Sequence, residues 1–308
     1  MKRINKMIKV WLCVLCCTIM LHAKAQQAGA FGTGYFQNQY IFNPAMSGVK
    51  PHELNMNLSY AQQGKNLNDD RSFKTFYATG DYGFSDAVGA GLFVVTDKAG
   101  INSITKIGGT YSFHAKLGND GQKLHLGITA NGSWLARDWT KITGDPSDPS
   151  LYSYDKSAKF ETDFGAAYTA KGFTLQAALP NMITLMSGKE TPAGNYLNQS
   201  SFFAAASYKF NLNSDPEAAI TVEPKVAYRT FRQSDNIFDG GLNVGFLKDR
   251  FQLYGIYHSS KSVTAGLQLG IIDAIYIAGS YTSQPSTLSG AFGNSFELAF
   301  RFNLAKKD

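Results

Sequence analysis

Cysteine is nearly absent from this 308-residue chain, and its three cysteines all lie within the first 25 residues. Those residues comprise a basic start, an apolar run over residues 10–21 and the sequence A-K-A at 23–25, a pattern typical of a cleaved secretory signal peptide. We therefore predict that residues 1–25 are removed, which leaves 308 − 25 = 283 residues. Lipid attachment at Cys16 or Cys17 is an alternative, disfavoured by bulky Val14 and Leu15 just before them. The remaining chain would have no disulfide bond, thiolate metal site or cysteine nucleophile.

A strong charge of one sign is also lacking. The formal net charge is +6, but five basic residues and no acidic residue lie in the predicted signal peptide. The rest of the chain has 29 − 5 = 24 basic residues against 23 acidic ones, a net charge of +1. Without a basic cluster, the sequence gives no support for nucleic-acid binding. It also has no later run of about 18 uninterrupted apolar residues, which excludes transmembrane helices.

Alternation of apolar and polar residues with a period of two is what the sequence does contain, most clearly over residues 218–303. Near the C-terminus, Phe296, Leu298 and Phe300 fall on one face of a strand, whereas Glu297 and Arg301 fall on the other. Such segments are about ten residues long, nearly twice the usual length of strands in soluble sandwiches. This length and polarity predict strands that cross a membrane, with one face toward lipid and the other toward a polar lumen.

We therefore predict an all-β fold over residues 54–308, a transmembrane antiparallel up-and-down β-barrel of about 14 strands. Connections after even-numbered strands are mostly short, and those after odd-numbered strands are mostly long, as in outer-membrane barrels with periplasmic turns and external loops. Both termini are then expected in the periplasm. The candidate strands are residues 54–62, 73–83, 87–97, 103–116, 121–137, 158–170, 172–180, 198–211, 218–230, 237–247, 250–258, 262–271, 274–284 and 293–303.

Some residues in these strands carry more specific expectations. Aromatic residues assigned to the apolar face, among them Tyr60, Tyr77 and Trp134, are predicted to lie at the membrane–water interface. Pro224 has no N–H to donate, so we expect a bulge there or a strand that begins after it. Glycines within the strands are expected to let the strands bend around a barrel; they include Gly89, Gly91, Gly108, Gly109, Gly240, Gly241 and Gly245.

No arrangement of residues in the sequence predicts catalysis, a cofactor or a metal site. Glu161 and Asp163 share one strand face and could form an acid pair, but charged residues are common in barrel lumens. Charges of both signs on the polar faces also argue against a strongly ion-selective pore. The histidines after residue 25 have no metal-ligand spacing and are predicted to be lumenal or turn residues: His52, His114, His125 and His258.

Residues 26–53 are predicted to form an N-terminal periplasmic extension or plug. The segment is rich in Gly, Gln and Asn, yet it holds more aromatic residues than an idle linker needs. Two interpretations are open at this point: a plug or strap that docks onto other proteins in the periplasm, and a segment that packs against its own barrel. The candidate partner-binding residues are Tyr35, Phe36, Tyr40, Phe42, Asn43, Pro44 and Gly48.

Four stretches resemble the PorP/SprF family, outer-membrane proteins of the type IX secretion system of Bacteroidetes. Residues 39–48, QYIFNPAMSG, resemble the family's opening Q-Y-x-x-NPA-x-x-G, and residues 91–100, GLFVVTDKAG, resemble its G-x-x-x-x-x-D-x-x-G. Residues 223–226, EPKV, and 295–298, SFEL, resemble its E-P-S-x and H-E-I/L segments. The sequence departs from the family at Lys225, where Ser is usual, at His258, where Arg is common, and before Glu297, where Gly-Ser-His is missing.

This resemblance implies an accessory component of type IX secretion that supports export or surface attachment of specific proteins, in some members tied to gliding motility. It would act by binding periplasmic ring or peptidoglycan-linked subunits and a cargo protein, within outer-membrane lipid and without catalysis. The alternative is an outer-membrane channel or porin for small solutes. A third class, a barrel hydrolase, would need a Ser/His/acid cluster, which the sequence order does not show but adjacent strands could assemble.

Overall fold

The computed structural model describes residues 32, 34–64, 72–118, 121–138, 158–187, 200–213, 219–231, 236–284 and 293–305. The predicted signal peptide and most of the long predicted connections lie outside these residues. The described strands form one closed antiparallel barrel of 14 strands. They are β1 Glu53–Gln63, β2 Phe73–Gly83, β3 Val88–Ala99, β4 Asn102–Leu117, β5 Gln122–Arg137, β6 Lys159–Ala170, β7 Phe173–Leu179, β8 Ser200–Tyr208 continued by Phe210–Asn211, β9 Thr221–Phe231, β10 Ile237–Phe246, β11 Phe251–His258, β12 Val263–Ile272, β13 Ile275–Ser283 and β14 Ser295–Ala305.

Each strand pairs with its neighbours in sequence, and β14 closes the barrel against β1. That last pairing runs without interruption from Glu53 opposite Ala305 to Gln63 opposite Ser295. Because no strand is left unpaired at an edge, every strand of the barrel has a hydrogen-bonding partner on both sides. The predicted up-and-down barrel and its strand count are confirmed.

The polarity of the barrel is inverted relative to a soluble protein. On β14, Phe296 and Leu298 are about half exposed, at 50% and 49%, whereas Glu297 between them is 6% exposed. The same alternation holds on β11, where Leu253 is exposed and Gln252 and Tyr254 are buried. Apolar side chains therefore cover the outer wall, as lipid requires, and polar side chains fill the interior.

Tyr77 departs from the predicted placement at the membrane interface. Its side chain is 1% exposed, points into the lumen and donates a hydrogen bond to Glu297 over 3.0 Å. On β2 the outward positions are those of Phe76 and Tyr82, so Tyr77 shares the inward face with Asp81. The assignment of Tyr77 to the apolar face was wrong, because the alternation along β2 places position 77 on the inward face, whatever side chain it carries.

The two ends of the barrel differ in their connections. At one end, called the turn side, tight turns include residues 84–87, 171–172 and 247–250, and β1 begins and β14 ends there. Lys171 and Gly172 both have positive φ, the conformation that a two-residue hairpin needs. The opposite end, called the loop side, has the longer connections, although residues 100–101 and 259–262 are also tight turns there.

Pro224 lies inside β9 and interrupts the neighbouring strand. Pairing of β9 with β10 continues through Pro224 opposite Leu242, whereas β8 breaks at Lys209, between the pairs Ser207–Lys225 and Phe210–Val222. Within the described parts of β8 and β9 the register shifts only near Thr230, and β9 already begins at Thr221, so the expected bulge or late strand start at Pro224 was wrong. The backbone nitrogen of Pro224 points toward β8 and carries no hydrogen, so one hydrogen bond between β8 and β9 is missing.

Replacing Pro224 with Val should therefore stabilise the barrel. The new N–H can complete the ladder between β8 and β9, and one such bond contributes about 0.5–1.5 kcal/mol to stability. We expect a higher midpoint for the heat-induced mobility shift of the unboiled protein on a gel. Val226→Thr, at an outward position of the same strand that keeps its N–H, is the control. An unchanged or lower midpoint for Pro224→Val would contradict the inference that the proline leaves a hydrogen bond between β8 and β9 unformed.

Short helices complete the described chain: α1 Gly34–Gln37, 3-10 turns at Gln39–Ile41 and Pro44–Met46, and α2 Met182–Ser187 between β7 and β8. None of the helices in the described ranges is long and apolar enough to cross a membrane.

Candidate functional site: the lumenal segment

Residues 34–50, called the lumenal segment, run through the interior of the barrel. Just before the segment, Gly32 lies beside Thr264, Ser280 and Glu297, in the loop-side half of the lumen. From there the chain runs toward the turn side and crosses the lumen from β9–β11 to β2–β6. At Lys50 it reaches the turn side, where Pro51 bridges to Gly83 before β1 begins.

The first anchor of this segment is an exchange of hydrogen bonds between Tyr35 and the strands β9 and β10. The Tyr35 hydroxyl donates to the carbonyl oxygens of Lys225 and Asp239, at 3.2 and 3.3 Å, and Lys225 Nζ donates to the Tyr35 carbonyl at 2.5 Å. Burial, followed by the nearby Asp239 carboxylate, raises the pKa of the Tyr35 phenol, which therefore stays protonated and able to donate. Phe36 packs beside it against Tyr254, with 5.8 Å between ring centroids.

The first anchor also surrounds the buried ammonium group of Lys225. Its side chain is 3% exposed, and Nζ lies 4.9 Å from the centroid of the Tyr35 ring and 5.8 Å from that of Phe36. Within the described part of the chain, no carboxylate forms an ion pair with it. A buried ammonium is costly without partners, so the carbonyl and the two ring faces of the lumenal segment stabilise Lys225 in place.

The second anchor is the sequence N-P-A at residues 43–45. Asn43 is fully buried; its Oδ1 accepts a hydrogen bond from the Ala45 N–H at 3.0 Å and caps the 3-10 turn that Pro44 begins. The Asn43 amide also donates to the Ala166 carbonyl at 3.1 Å and to Gln176 Oε1 at 3.4 Å. One asparagine thus shapes the local turn and fastens it to β6 and β7.

The third anchor fixes the end of the segment to β2 and β4. Ser47 and Ser112 are joined by two hydrogen bonds, Oγ to Oγ at 3.0 Å and Ser112 Oγ to the Ser47 carbonyl at 2.7 Å. The Gly48 N–H donates to Asp81 Oδ2 at 2.8 Å, with Gly48 in the left-handed region at φ 61°. Between the second and first anchors, the Tyr40 hydroxyl donates to Thr110 Oγ1 at 2.8 Å, and burial raises the pKa of this phenol as well.

Glycines on the inner wall make room for the lumenal segment. A Cβ at Gly127 would come closer than 3.0 Å to backbone atoms of Pro44 and Ala45, and one at Gly91 would lie 2.5 Å from the Tyr40 ring. Gly89 and Gly241, predicted to let strands bend, likewise face the segment. The inward glycines with such a contact closer than 3.0 Å are Gly83, Gly89, Gly91, Gly127 and Gly165.

All of the predicted partner-binding residues lie in the lumenal segment and contact the barrel. Phe42 is half-buried and stacks on Phe203 at 5.4 Å between centroids; the other six, Tyr35, Phe36, Tyr40, Asn43, Pro44 and Gly48, are buried. A second protein could not touch these six residues while the segment occupies the lumen. Sequence reasoning missed their partners on the barrel, such as Thr110, because these are separated from the segment by 33 to 204 residues.

Helix α2 is fastened to inward-facing side chains of β6 near the loop side of the lumen. Glu161 accepts from the Thr184 N–H at 3.1 Å, and Asp163 accepts from the Asn181 N–H at 2.8 Å. Lys106 Nζ lies 3.5 Å from Asp163 Oδ2 and donates to Asn181 Oδ1 at 3.2 Å. Glu161 and Asp163, which share one strand face, are thus lumenal, and both accept backbone hydrogen bonds at the start of α2.

Adjacent strands also assemble an Asp–His–Thr series that the sequence order conceals. Asp239 Oδ1 lies 2.6 Å from His258 Nδ1, and His258 Nε2 lies 2.8 Å from Thr264 Oγ1. The other Asp239 oxygen is paired with Arg229 at 2.9 Å, and Thr264 is 1% exposed beside Gly32. A hydroxyl that is enclosed in this way has no path to a substrate, so the series joins β9 to β12 as a structural network.

The fold and the lumenal segment define a class of protein: an outer-membrane β-barrel whose interior is occupied by its own N-terminal segment. Residues 23–302 match the family described as type IX secretion system membrane protein PorP/SprF, and the chain belongs to that family. No curated protein matches the sequence.

Among solved structures, the chain is similar to Omp33 of Acinetobacter baumannii, with 11% identity, a TM-score of 0.46, and coverage of 83% of this chain and 100% of that one. It is similar to a mutant of the TodX monoaromatic hydrocarbon channel, with 9% identity, a TM-score of 0.46, and coverage of 89% and 95%. A porin mutant of Rh. blastica matches with 12% identity, a TM-score of 0.35, and coverage of 82% and 99%.

Proposed function

We propose that this protein is an accessory component of type IX secretion that supports the export or surface attachment of specific secreted proteins. It acts by binding secretion subunits on the periplasmic side, ring or peptidoglycan-linked proteins, and its cargo, without a chemical step. Family membership supports the secretion role, and the outer-membrane barrel supports the location. We place the turn side, with the beginning of β1 and the end of β14, toward the periplasm, because short turns face that compartment in such barrels.

The observation that carries this proposal is the occupied lumen. Three separate anchors hold the lumenal segment across β2–β7 and β9–β10, and inward glycines fit its backbone closely. This arrangement favours a closed barrel over the alternative, a steady channel for small solutes. We assign residues 34–50 as a plug, within the N-terminal region 26–53.

The plug assignment also restricts how the predicted partner-binding residues can work. The side chains of Tyr35, Tyr40 and Asn43 donate hydrogen bonds to the barrel, and the Phe36 ring packs against Tyr254. A partner would therefore have to draw the segment out of the lumen to bind these residues. We propose that the segment alternates between these two states, lumenal plug and periplasmic strap. Binding of a partner and opening of the lumen would then be coupled.

Deletion of residues 26–50 tests both parts of the proposal. The strand ladder does not include these residues, so the barrel should still fold and should still shift its gel mobility on boiling. We expect the deleted protein to conduct steadily in a planar bilayer, and to lose periplasmic secretion subunits when it is purified from native membranes. The full-length protein, treated in the same way, should be silent and should retain them.

The possible outcomes separate the two assignments. Steady conductance by the full-length protein would favour the solute channel and overturn the plug. Unchanged recovery of partners after the deletion would rule out the strap and place docking elsewhere on the barrel.

A further inference from the structure

Two lysines lie side by side on the outer wall, at the loop-side rim of the barrel. Lys74, near the start of β2, is directly opposite Lys98, near the end of β3, and both are partly exposed. They have the same parity along their strands as two outward residues, Phe76 at 42% and Leu92 at 69% exposure. Both lysine side chains therefore point toward the membrane and away from the lumen.

Neither lysine has a carboxylate partner among the described residues. None of the ion pairs within the described ranges includes Lys74 or Lys98. Asp97 is adjacent to Lys98 in sequence, but it lies on the inward face, where the Thr75 hydroxyl donates a hydrogen bond to it at 2.6 Å. Like charges directly opposite each other on adjacent strands destabilise a sheet, because their Cβ atoms are only about 4.5–5.5 Å apart. An anion between the two ammonium groups would remove this repulsion.

Aromatic residues form a belt one step below the lysines on the same outer wall. The strand register aligns one row of outward residues across β1–β5: Tyr60, Phe76, Thr96, Thr105 and Trp134. The next row toward the loop side consists of Gln62, Lys74, Lys98, Ser103 and Ala136. Tyrosine and tryptophan rings settle where the hydrocarbon region meets the headgroups, so the lysine row lies at the level of the headgroups.

The length of β3 gives the same level for the lysines. Val88, an outward residue at the turn-side end of β3, lies 98 − 88 = 10 residues from Lys98, which is about 33 Å along the strand. With a strand tilt of about 40°, this length spans about 25 Å across the membrane, the usual height of the apolar band of such barrels. Lys98 therefore lies where the hydrocarbon region ends on the loop side.

We propose that Lys74 and Lys98 bind the phosphate group of a lipid in the external leaflet of the outer membrane. Basic side chains at a membrane surface attract anionic headgroups, and phosphate oxygens accept strong hydrogen bonds from ammonium groups. The hydroxyl of Ser103, opposite Lys98 in the same row, supplies a third donor. The acyl chains of the lipid lie along the outer wall below, where Leu92 and Ile107 are 69% and 44% exposed.

The choice of the external leaflet rests on the orientation proposed above, with the turn side toward the periplasm. Lys261 reports on that orientation, because it is exposed in the tight loop-side turn at residues 259–262. In a Lys261→Cys variant, a membrane-impermeant maleimide should label the protein on intact cells. Labelling only after the outer membrane is permeabilised would place the lysines in the periplasmic leaflet and overturn the proposal.

The test of the site itself is a titration of the folded protein in detergent with monophosphoryl lipid A, measured by native mass spectrometry. We expect the phosphorylated lipid to bind more tightly than its dephosphorylated form with the same acyl chains. Lys74→Gln and Lys98→Gln should each weaken binding of the phosphorylated lipid about fivefold, and the double variant should weaken it about 30-fold. Lys261→Gln removes the same charge from the same side of the barrel, so its affinity should be unchanged.

Two results of this titration would overturn the proposal. Equal affinity for the two forms of the lipid would mean that the barrel binds acyl chains and not the phosphate. Unaltered affinity in the double variant, with its gel mobility shift intact, would mean that the phosphate binds elsewhere. The titration contains only the barrel and lipid, so either result would leave the secretion role standing, and a failure of the secretion role would leave the lipid site standing.

Discussion

Gly127→Val is expected to convert a silent barrel into a conducting one. A Cβ at this position would come closer than 3.0 Å to the backbone of Pro44 and Ala45, and backbone atoms cannot rotate away as a flexible side chain can. Overpacking of this kind costs about 1–3 kcal/mol, so the population with the segment displaced should rise roughly 5- to 140-fold. The measurement is single-channel recording in a planar bilayer, as the fraction of time spent open.

Gly80→Val and Gly240→Val provide matched controls for that experiment. A Cβ at either position would meet no atom within 4 Å, so both should remain silent. All three glycines lie in strands and outside the positive-φ region, which means that valine introduces no backbone strain in any of them. A silent Gly127→Val barrel that still folds, or conductance in the controls as well, would show that the close fit does not close the lumen.

The barrel was predictable from the sequence because lipid and lumen impose opposite polarities on alternate residues. Phe296 and Glu297 illustrate the rule, since neither would tolerate the environment of the other. Two positions escaped the pattern for physical reasons. Tyr77 is aromatic but faces the lumen, where its hydroxyl donates a hydrogen bond to Glu297. Pro224 remains within β9, and the strand that is interrupted is the neighbouring β8.

The composition of the lumenal segment could be interpreted from the sequence, but its path and its contacts could not. Its aromatic residues indicated a contact, but the surface that they contact is formed by strands far away in sequence, such as Lys225 on β9 for Tyr35. The inward glycines mark where the segment lies against the wall. In the sequence, however, a glycine that leaves room for another backbone cannot be distinguished from one that lets a strand bend. The contact between His114 on β4 and His125 on β5 was hidden in the same way, since only the register of these strands brings their Nδ1 atoms within 2.8 Å.

Asn43→Ala should release the segment more strongly than any other single truncation of its polar side chains. The change removes the cap on the Ala45 N–H and leaves the Ala166 carbonyl and Gln176 without this donor. Loss of a cap costs about 0.5–2 kcal/mol, and a buried group left unsatisfied costs about 1–3 kcal/mol. A combined cost of about 1.5–5 kcal/mol corresponds to a roughly 10- to 4,000-fold rise in the released population.

Labelling of a single cysteine measures that population, because the chain after the predicted signal peptide has no cysteine of its own. In a Met46→Cys background, Asn43→Ala should speed reaction with a water-soluble maleimide in proportion to release. Lys50→Ala is the control, since its exposed ion pair with Glu53 is worth at most about 1 kcal/mol, a less than roughly sixfold effect. Equal labelling rates in the two variants would mean that the hydrogen bonds of Asn43 do not hold the segment. Retention would then depend on the close fit against Gly127 and on the anchors at Tyr35 and Ser47.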